Sequence, residues 1–288
     1  MNSQEIQIPD NHQIVIDRFV ASCRADERVV AAFLGGSYAR GAADEYSDLD
    51  LYLIATDEAH EEFYAGREAF MALLGEPLFI EDFDIPNIVF YMLADGTEGE
   101  LGLGRESEFT HIHSGPYQVL LDKKNLLAGV VFPGHEADPA GQTEMLRRLV
   151  YWFWHELSHF ITALGRNQLW WAHGQLDVLR HYCVKLARLR NDFFDAEAGD
   201  EGYFKVEKAI PVAQLASLQA TFCPMEKEAM LHAAFIIVNY YQELATELAQ
   251  RHGITYPEKL EHLMLARLEK LRPGLRLKSG GRSTGDRA

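Results

Sequence analysis

Asp48 and Asp50 stand one residue apart in the run Ser-Asp-Leu-Asp-Leu-Tyr-Leu-Ile, a short loop after Gly35, Gly36 and Ser37. The alternation of that run predicts a strand whose pleat sends Asp48, Asp50 and Tyr52 to one face and Leu49, Leu51 and Leu53 to the other. Two carboxylates that close repel each other unless a cation sits between them or one stays protonated. Hard oxygen ligands suit Mg2+, which typically takes one or two carboxylates together with the phosphates of a substrate. The turn before them suits the phosphate. Gly35 and Gly36 lack a Cβ, so backbone N–H groups there can approach a ligand closely, and the Ser37 hydroxyl adds a donor. A helix starting at Ser37 would add the attraction of its N-terminal dipole for anions. The segment lacks the Gly-Lys-Ser/Thr ending of a Walker phosphate loop.

The elements that must position these residues follow from the hydrophobic pattern. Residues 11–27 read as an opening amphipathic helix, 28–36 and 47–56 as strands, and 57–75 as a helix with an acidic first turn and Gly75 at its end. Further strands are expected at 87–93, 97–104 and 117–122. Near residue 140 the texture changes to long stretches of helical periodicity, at about 143–164, 168–191, 211–221, 226–252 and 257–271. The pattern predicts an α+β chain: a mixed β-sheet with flanking helices in domain 1–137, a helical bundle in domain 138–271, and a disordered Gly/Ser-rich tail at 272–288.

Composition narrows the partners. With 27 basic and 43 acidic residues the net charge is −16, so a broad footprint for nucleic acid is missing and long-range attraction favours cations. The three cysteines are far apart, uneven in number and free of Cys-x-x-Cys spacing, which suits a reducing compartment. With neither a secretory leader pattern nor an uncharged run long enough to span a bilayer, the expectation is a cytoplasmic protein with no membrane partner. A homodimer is left open.

The pattern Gly-Gly-Ser-x-Ala-Arg-Gly followed by Ser-Asp-x-Asp resembles the signature of the polymerase-β-type nucleotidyltransferase superfamily. The resemblance implies that Gly35, Gly36, Ser37 and Ser47 lie at a bound triphosphate, and that Asp48 and Asp50 hold two Mg2+ ions. It also implies a third carboxylate from a later strand, acting as metal ligand or as base. Glu100 is favoured over Glu98, because it lies inside the run with Leu101 and Leu103 on the opposite face, while Glu98 is nearer the turn at 94–97. Arg40 has two readings, a phosphate contact or a pair with Asp44. The layout of a nucleotidyltransferase domain followed by a helical bundle resembles the antibiotic nucleotidyltransferases, most closely the larger lincosamide enzymes and their aminoglycoside relatives. That resemblance implies transfer of AMP from ATP, or of a monophosphate from another NTP, to a hydroxyl of a small-molecule acceptor with release of pyrophosphate. The alternatives are a toxin-like enzyme that modifies protein or tRNA, and an inactive nucleotide-binding relative.

The second half carries other chemistry-bearing residues. His155, Glu156 and His159 match His-Glu-x-x-His, but no further ligand follows at metalloprotease spacing, so the histidines are read as polar positions on a buried or pocket-facing helix surface and not as a zinc site. Trp152, Trp154, Trp170 and Trp171 are read first as bundle core, with a substrate wall as the alternative. Of Arg180, Lys185, Arg188 and Arg190, Lys185 is the one chosen for a triphosphate contact, and the rest are expected to be solvated.

Overall fold

The computed structural model describes residues 9–133, 138–195 and 202–272. Most of the tail expected at 272–288 lies outside them. The chain divides into two compact units, Met1–Glu136 and Ala137–Ala288.

The first unit runs α1 (Asp10–Ala25), β1 (Val29–Leu34), α2 (Gly36–Ala39), β2 (Leu49–Ala55), α3 (His60–Ala65), α4 (Arg67–Leu74), β3 (Pro77–Glu81), β4 (Ile88–Leu93), β5 (Glu98–Arg105) and β6 (Gln118–Asp122). Its strands form one six-stranded sheet in the order β3-β4-β5-β2-β1-β6. Only β2 and β5 pair in parallel, so the sheet is mixed. The alternation in β2 assigns its two faces. Leu49, Leu51 and Leu53 are fully buried against Phe19 of α1 and Phe70, Met71 and Leu74 of α4, each such side chain contributing about 1.5–3 kcal/mol of burial. On the other face Tyr52 and Ile54 pack with Phe33, Phe109 and Phe132, and the Tyr52 and Phe33 rings stack at 4.7 Å. That second layer stops short of the start of β2, where Asp50 is only half-buried and Asp48 is exposed.

Two local departures from the sequence pattern have physical causes. The expected helix at 57–75 is broken into α3 and α4 at Gly66, which ends one and starts the other, while Gly75 does end α4. A strand appears at Pro77–Glu81 where the pattern predicts none. It is an edge strand opening on a proline, with no buried residue and hence no alternation to read.

The second unit contains α5 (Pro139–Gly165), α6 (Leu169–Asn191), α7 (Val206–Ala209), α8 (Val212–Gln219), α9 (Lys227–Arg251) and α10 (Glu258–Glu269). Helix α5 starts earlier than the periodicity suggests, because the Asp138 side chain accepts from the Ala140 and Gly141 N–H groups and Pro139 fits the first turn. The core of this unit joins α5, α6 and α9, with the Phe153 and Tyr241 rings stacked and the Tyr241 hydroxyl donating to the Val150 carbonyl at 2.7 Å. Of the four tryptophans only Trp154 is in this core; Trp152, Trp170 and Trp171 are exposed. The arginines of α6 also depart from expectation. Arg180 is buried between Thr221, Asp177 and Tyr203, and Arg188 is buried against Asp195 and the Phe204 carbonyl. Both brace the bundle. Among the described residues no helix is long and apolar enough to cross a membrane.

Candidate active site

Strand β1 delivers the chain to Gly35 and Gly36, and β2 runs back beside it. The Gly35 N–H donates to the Asp50 carbonyl at 2.9 Å, so the turn is tied to the strand that carries the carboxylates. Gly36 has φ of +53°, and a Cβ there would come within 1.5 Å of Asp50 Oδ2. No other residue fits between the turn and the carboxylate. Helix α2 starts at Gly36 and buries Tyr38, whose hydroxyl hydrogen-bonds His12 Nδ1 from α1. This clamp, which the sequence pattern does not reveal, fixes the orientation of Ser37. The Ser37 hydroxyl is buried and has no hydrogen-bond partner among the described residues. Such an orphan suits a ligand oxygen.

Strand β5 brings the third carboxylate. Its parallel register places Glu100 directly opposite Asp50, with Asp48 one residue before the paired segment. The close approach of β5 depends on Gly102, where a Cβ would meet the Tyr52 ring at 2.4 Å. Glu100 is half-buried and Glu98, at the strand start, is exposed. Burial, then the Asp48 and Glu100 charges, lifts the Asp50 carboxyl from an ordinary 3.8 to about 6, against a smaller opposing pull from Arg40. Burial, then Asp48, raises Glu100. Carboxylates that raise one another are short of positive charge, and an oxygen-only donor set of this kind fits a divalent cation such as Mg2+. Their ligand oxygens do not all fall within 4.8 Å of one another.

The remaining expected residues divide. Arg40 is exposed and makes no ion pair with Asp44 among the described residues; its charge bears instead on Asp50. Asp44 accepts from the Tyr46 N–H and the Ser47 hydroxyl, so the Ser47 side chain is engaged within the loop. Lys185 lies on α6 in the second unit, half-buried, at a cavity of about 420 Å3 that also exposes Arg148, Trp152 and His181. Sequence reasoning missed His12, Tyr38 and also His113, whose ring packs against Tyr52 at 4.8 Å and whose Nε2 hydrogen-bonds the Pro116 carbonyl. The signal for them is faint, since the ring contacts join different elements.

On α5, His155, Glu156 and His159 offer ligand atoms within 4.8 Å of one another, the one such trio among the described residues. Glu156 is already engaged. With its amide oriented to satisfy both neighbours, Gln175 donates to Glu156 and accepts from the Trp171 indole, each at 3.2 Å.

Comparison with known proteins gives a family. No curated protein matches the chain. An aminoglycoside 6-adenyltransferase from Bacillus subtilis is similar at 16% identity and a TM-score of 0.40, over 92% of this chain and 99% of that one. The model of the streptomycin adenylyltransferase family matches residues 10–271, which span both units. The chain therefore belongs to the streptomycin adenylyltransferase family, and it is an enzyme of the nucleotidyltransferase class.

Proposed function

We propose that the protein transfers AMP from Mg-ATP to a hydroxyl of a cationic, aminoglycoside-type acceptor and releases pyrophosphate. The observation that carries this reading is the register that sets Glu100 opposite Asp50 beside a glycine turn with an orphaned serine hydroxyl. Asp48 and Asp50 would hold Mg2+, as a pair of ions with Glu100 as the further ligand. Bound there, the metal supplies Lewis-acid stabilisation of charge on the phosphate oxygens.

The chain's own groups do the rest. The Gly36 backbone and the Ser37 hydroxyl hold the terminal phosphates, and Arg40, unpaired with Asp44, adds positive charge beside them. Glu100, half-buried and opposite Asp50 in the strand register, accepts the proton of the acceptor hydroxyl. The acceptor oxygen then bonds to the α-phosphorus, the bond from that phosphorus to the bridging oxygen breaks, and its electron pair leaves with pyrophosphate. An acidic protein of net charge −16 favours encounter with a polycationic acceptor over a neutral one.

The test is pyrophosphate release from Mg-ATP across a panel of aminoglycosides and lincosamides, with parent enzyme and Asp48→Asn. Acceptor-dependent release by the parent, reduced about a thousandfold in the variant, is expected if the carboxylate holds metal. A variant as fast as the parent would sink the assignment, and a lincosamide acting in place of an aminoglycoside would correct the acceptor class.

A further inference from the structure

Beyond the carboxylates the same sheet face continues onto strands that the proposed chemistry does not use. The register sets Asp50, Glu100, Phe90 and Glu81 side by side across β2, β5, β4 and β3, and in the next row Glu98, Met92 and Phe79. The opposite face of β4, Val89, Tyr91 and Leu93, is the one buried under the helices. A cavity of about 330 Å3 opens on the first face, lined by Asp48, Glu98 and Glu100 at one end and by Phe79, Phe83 and Phe90 at the other. Phe83 and Phe79 are 61% and 43% exposed, which is unusual for phenylalanines set side by side. Their rings form a continuous ledge, Phe83 lying 6.2 Å from Phe79 and 5.5 Å from Phe90.

The ledge is held in place against local preference. Phe83 has φ of +49° and Asp84 of +60°, a left-handed conformation that bulky residues rarely adopt. The turn is pinned from both sides. Glu81 accepts from the Phe83 N–H at 3.2 Å, and Asp82 pairs with Arg67 at 2.9 Å and accepts from the Tyr64 hydroxyl at 3.0 Å. A structure that only needed to turn here would be served by glycine or asparagine.

We propose that this face is the acceptor site, and that it selects a ring molecule bearing a cationic substituent, with the ring or its cation over Phe83 and Phe90 and the charge paired to Glu98. The proposal rests on the adenylyltransfer reading for the position of the reacting hydroxyl, which it brings to the Glu100 end of the cavity. Charge complementarity favours that occupant. Glu98, which the metal reading leaves unused, forms no ion pair among the described residues, and an aromatic face beside a carboxylate is the setting that binds a delocalised or ammonium cation. Glu98, the runner-up for the third carboxylate, thereby takes a role in recognition instead of in the chemistry.

The experiment uses the full-length enzyme and streptomycin as the probe, with Phe83→Gly and Glu98→Gln. Steady-state kinetics should show KM for streptomycin raised about tenfold in each variant, with KM for ATP and kcat at saturating acceptor within about twofold of the parent. Phe83→Gly relieves the left-handed strain, so its melting temperature should hold or rise while acceptor affinity falls, an opposition that a structural role for the ring would not produce. Calorimetric titration of streptomycin into the enzyme without ATP reads the same site independently of turnover. If the parent transfers AMP to streptomycin but neither variant changes its KM, the acceptor site is elsewhere while the adenylyltransfer reading stands. If the parent does not turn over, that reading falls, and weaker calorimetric binding in both variants still upholds the ledge. Parent enzyme that fails to bind streptomycin in the titration overturns the ledge as an acceptor site.

Discussion

Two trios of metal-competent side chains sit in the two units, and they differ in the opposite way from what spacing alone suggests. His155, Glu156 and His159 reproduce a metalloprotease spacing and have their ligand atoms within 4.8 Å of one another, while Asp48, Asp50 and Glu100 come from two strands and are set wider. The helix trio is the more compact because one turn of helix brings i and i+4 together whatever the residues do. Its glutamate is engaged by Gln175, and His155 is exposed. The sheet trio is loose but short of positive charge: burial and mutual repulsion lift Asp50 to about 6 and raise Glu100. Demand for a cation, read from burial and charge, separates the two better than ligand spacing does.

The sharpest way to break that comparison is to neutralise one carboxylate in each trio. Glu100→Gln keeps the size of the side chain and removes the proposed base, and should lower pyrophosphate release about 10²–10⁴-fold. Glu156→Gln on α5 should leave release within about twofold, since a glutamine can still hydrogen-bond Gln175. Equal losses in the two variants would mean that the helix trio shares in the reaction.

Glycine substitutions give the next largest contrast. At Gly36 a Cβ would collide with Asp50 Oδ2 and the φ of +53° disfavours any L side chain, so Gly36→Ala should destabilise the first unit by about 1–3 kcal/mol. Gly174 lies on the exposed side of α6, where an added methyl group would meet no neighbouring atom within 4 Å, so Gly174→Ala should stabilise the second unit by about 1 kcal/mol. Urea unfolding of both variants checks the signs. A neutral Gly36→Ala would show that the turn does not press against the carboxylate.

How much of this is legible in the sequence depends on the range of the interaction. The strand that carries Asp50 and follows Asp48 can be read because its leucines alternate with other residues, and all three leucines are buried. The choice of Glu100 follows from the same alternation, but its position opposite Asp50 is a matter of strand register across 50 residues, which a single sequence does not encode locally. The His12–Tyr38 clamp is invisible for the same reason. Arg188 reads as solvated because its helix neighbours give it no partner, whereas Asp195 and the Phe204 carbonyl reach it from beyond the helix end. Phe79 and Phe83 carry no signal because β3 is an edge strand without a buried side and a left-handed phenylalanine has no sequence signature, while Phe90 lies on a strand the pattern does predict, and only its pairing with them is hidden.

The smallest effect is a pH dependence at the sheet trio. Asp50 has its folded-state carboxyl raised from 3.8 to about 6, so between those values the native protein holds more protons than the unfolded chain. The Asp50 contribution to metal-free stability should therefore fall as pH rises from about 4 to 6 and level off above, by on the order of 1 kcal/mol once solvent screening is allowed for, against the opposite sign from the lowered His12, His113, His181 and His252. Asp50→Asn removes that contribution and leaves the one from the raised Glu100, so the variant should gain on the parent as pH rises through that window. Mg2+ competes with the same protons. Its stabilisation of the parent should be small at about pH 4.5 and larger at about pH 7.5, and it should be lost in Asp50→Asn. His159→Ala should leave that Mg2+ profile unchanged, because the helix trio offers imidazoles in place of the oxygen ligands Mg2+ prefers. Thermal melts across pH with and without MgCl2 decide it: a Mg2+ shift that is flat with pH in the parent would mean that the Asp50 carboxyl is not where the ion competes with a proton.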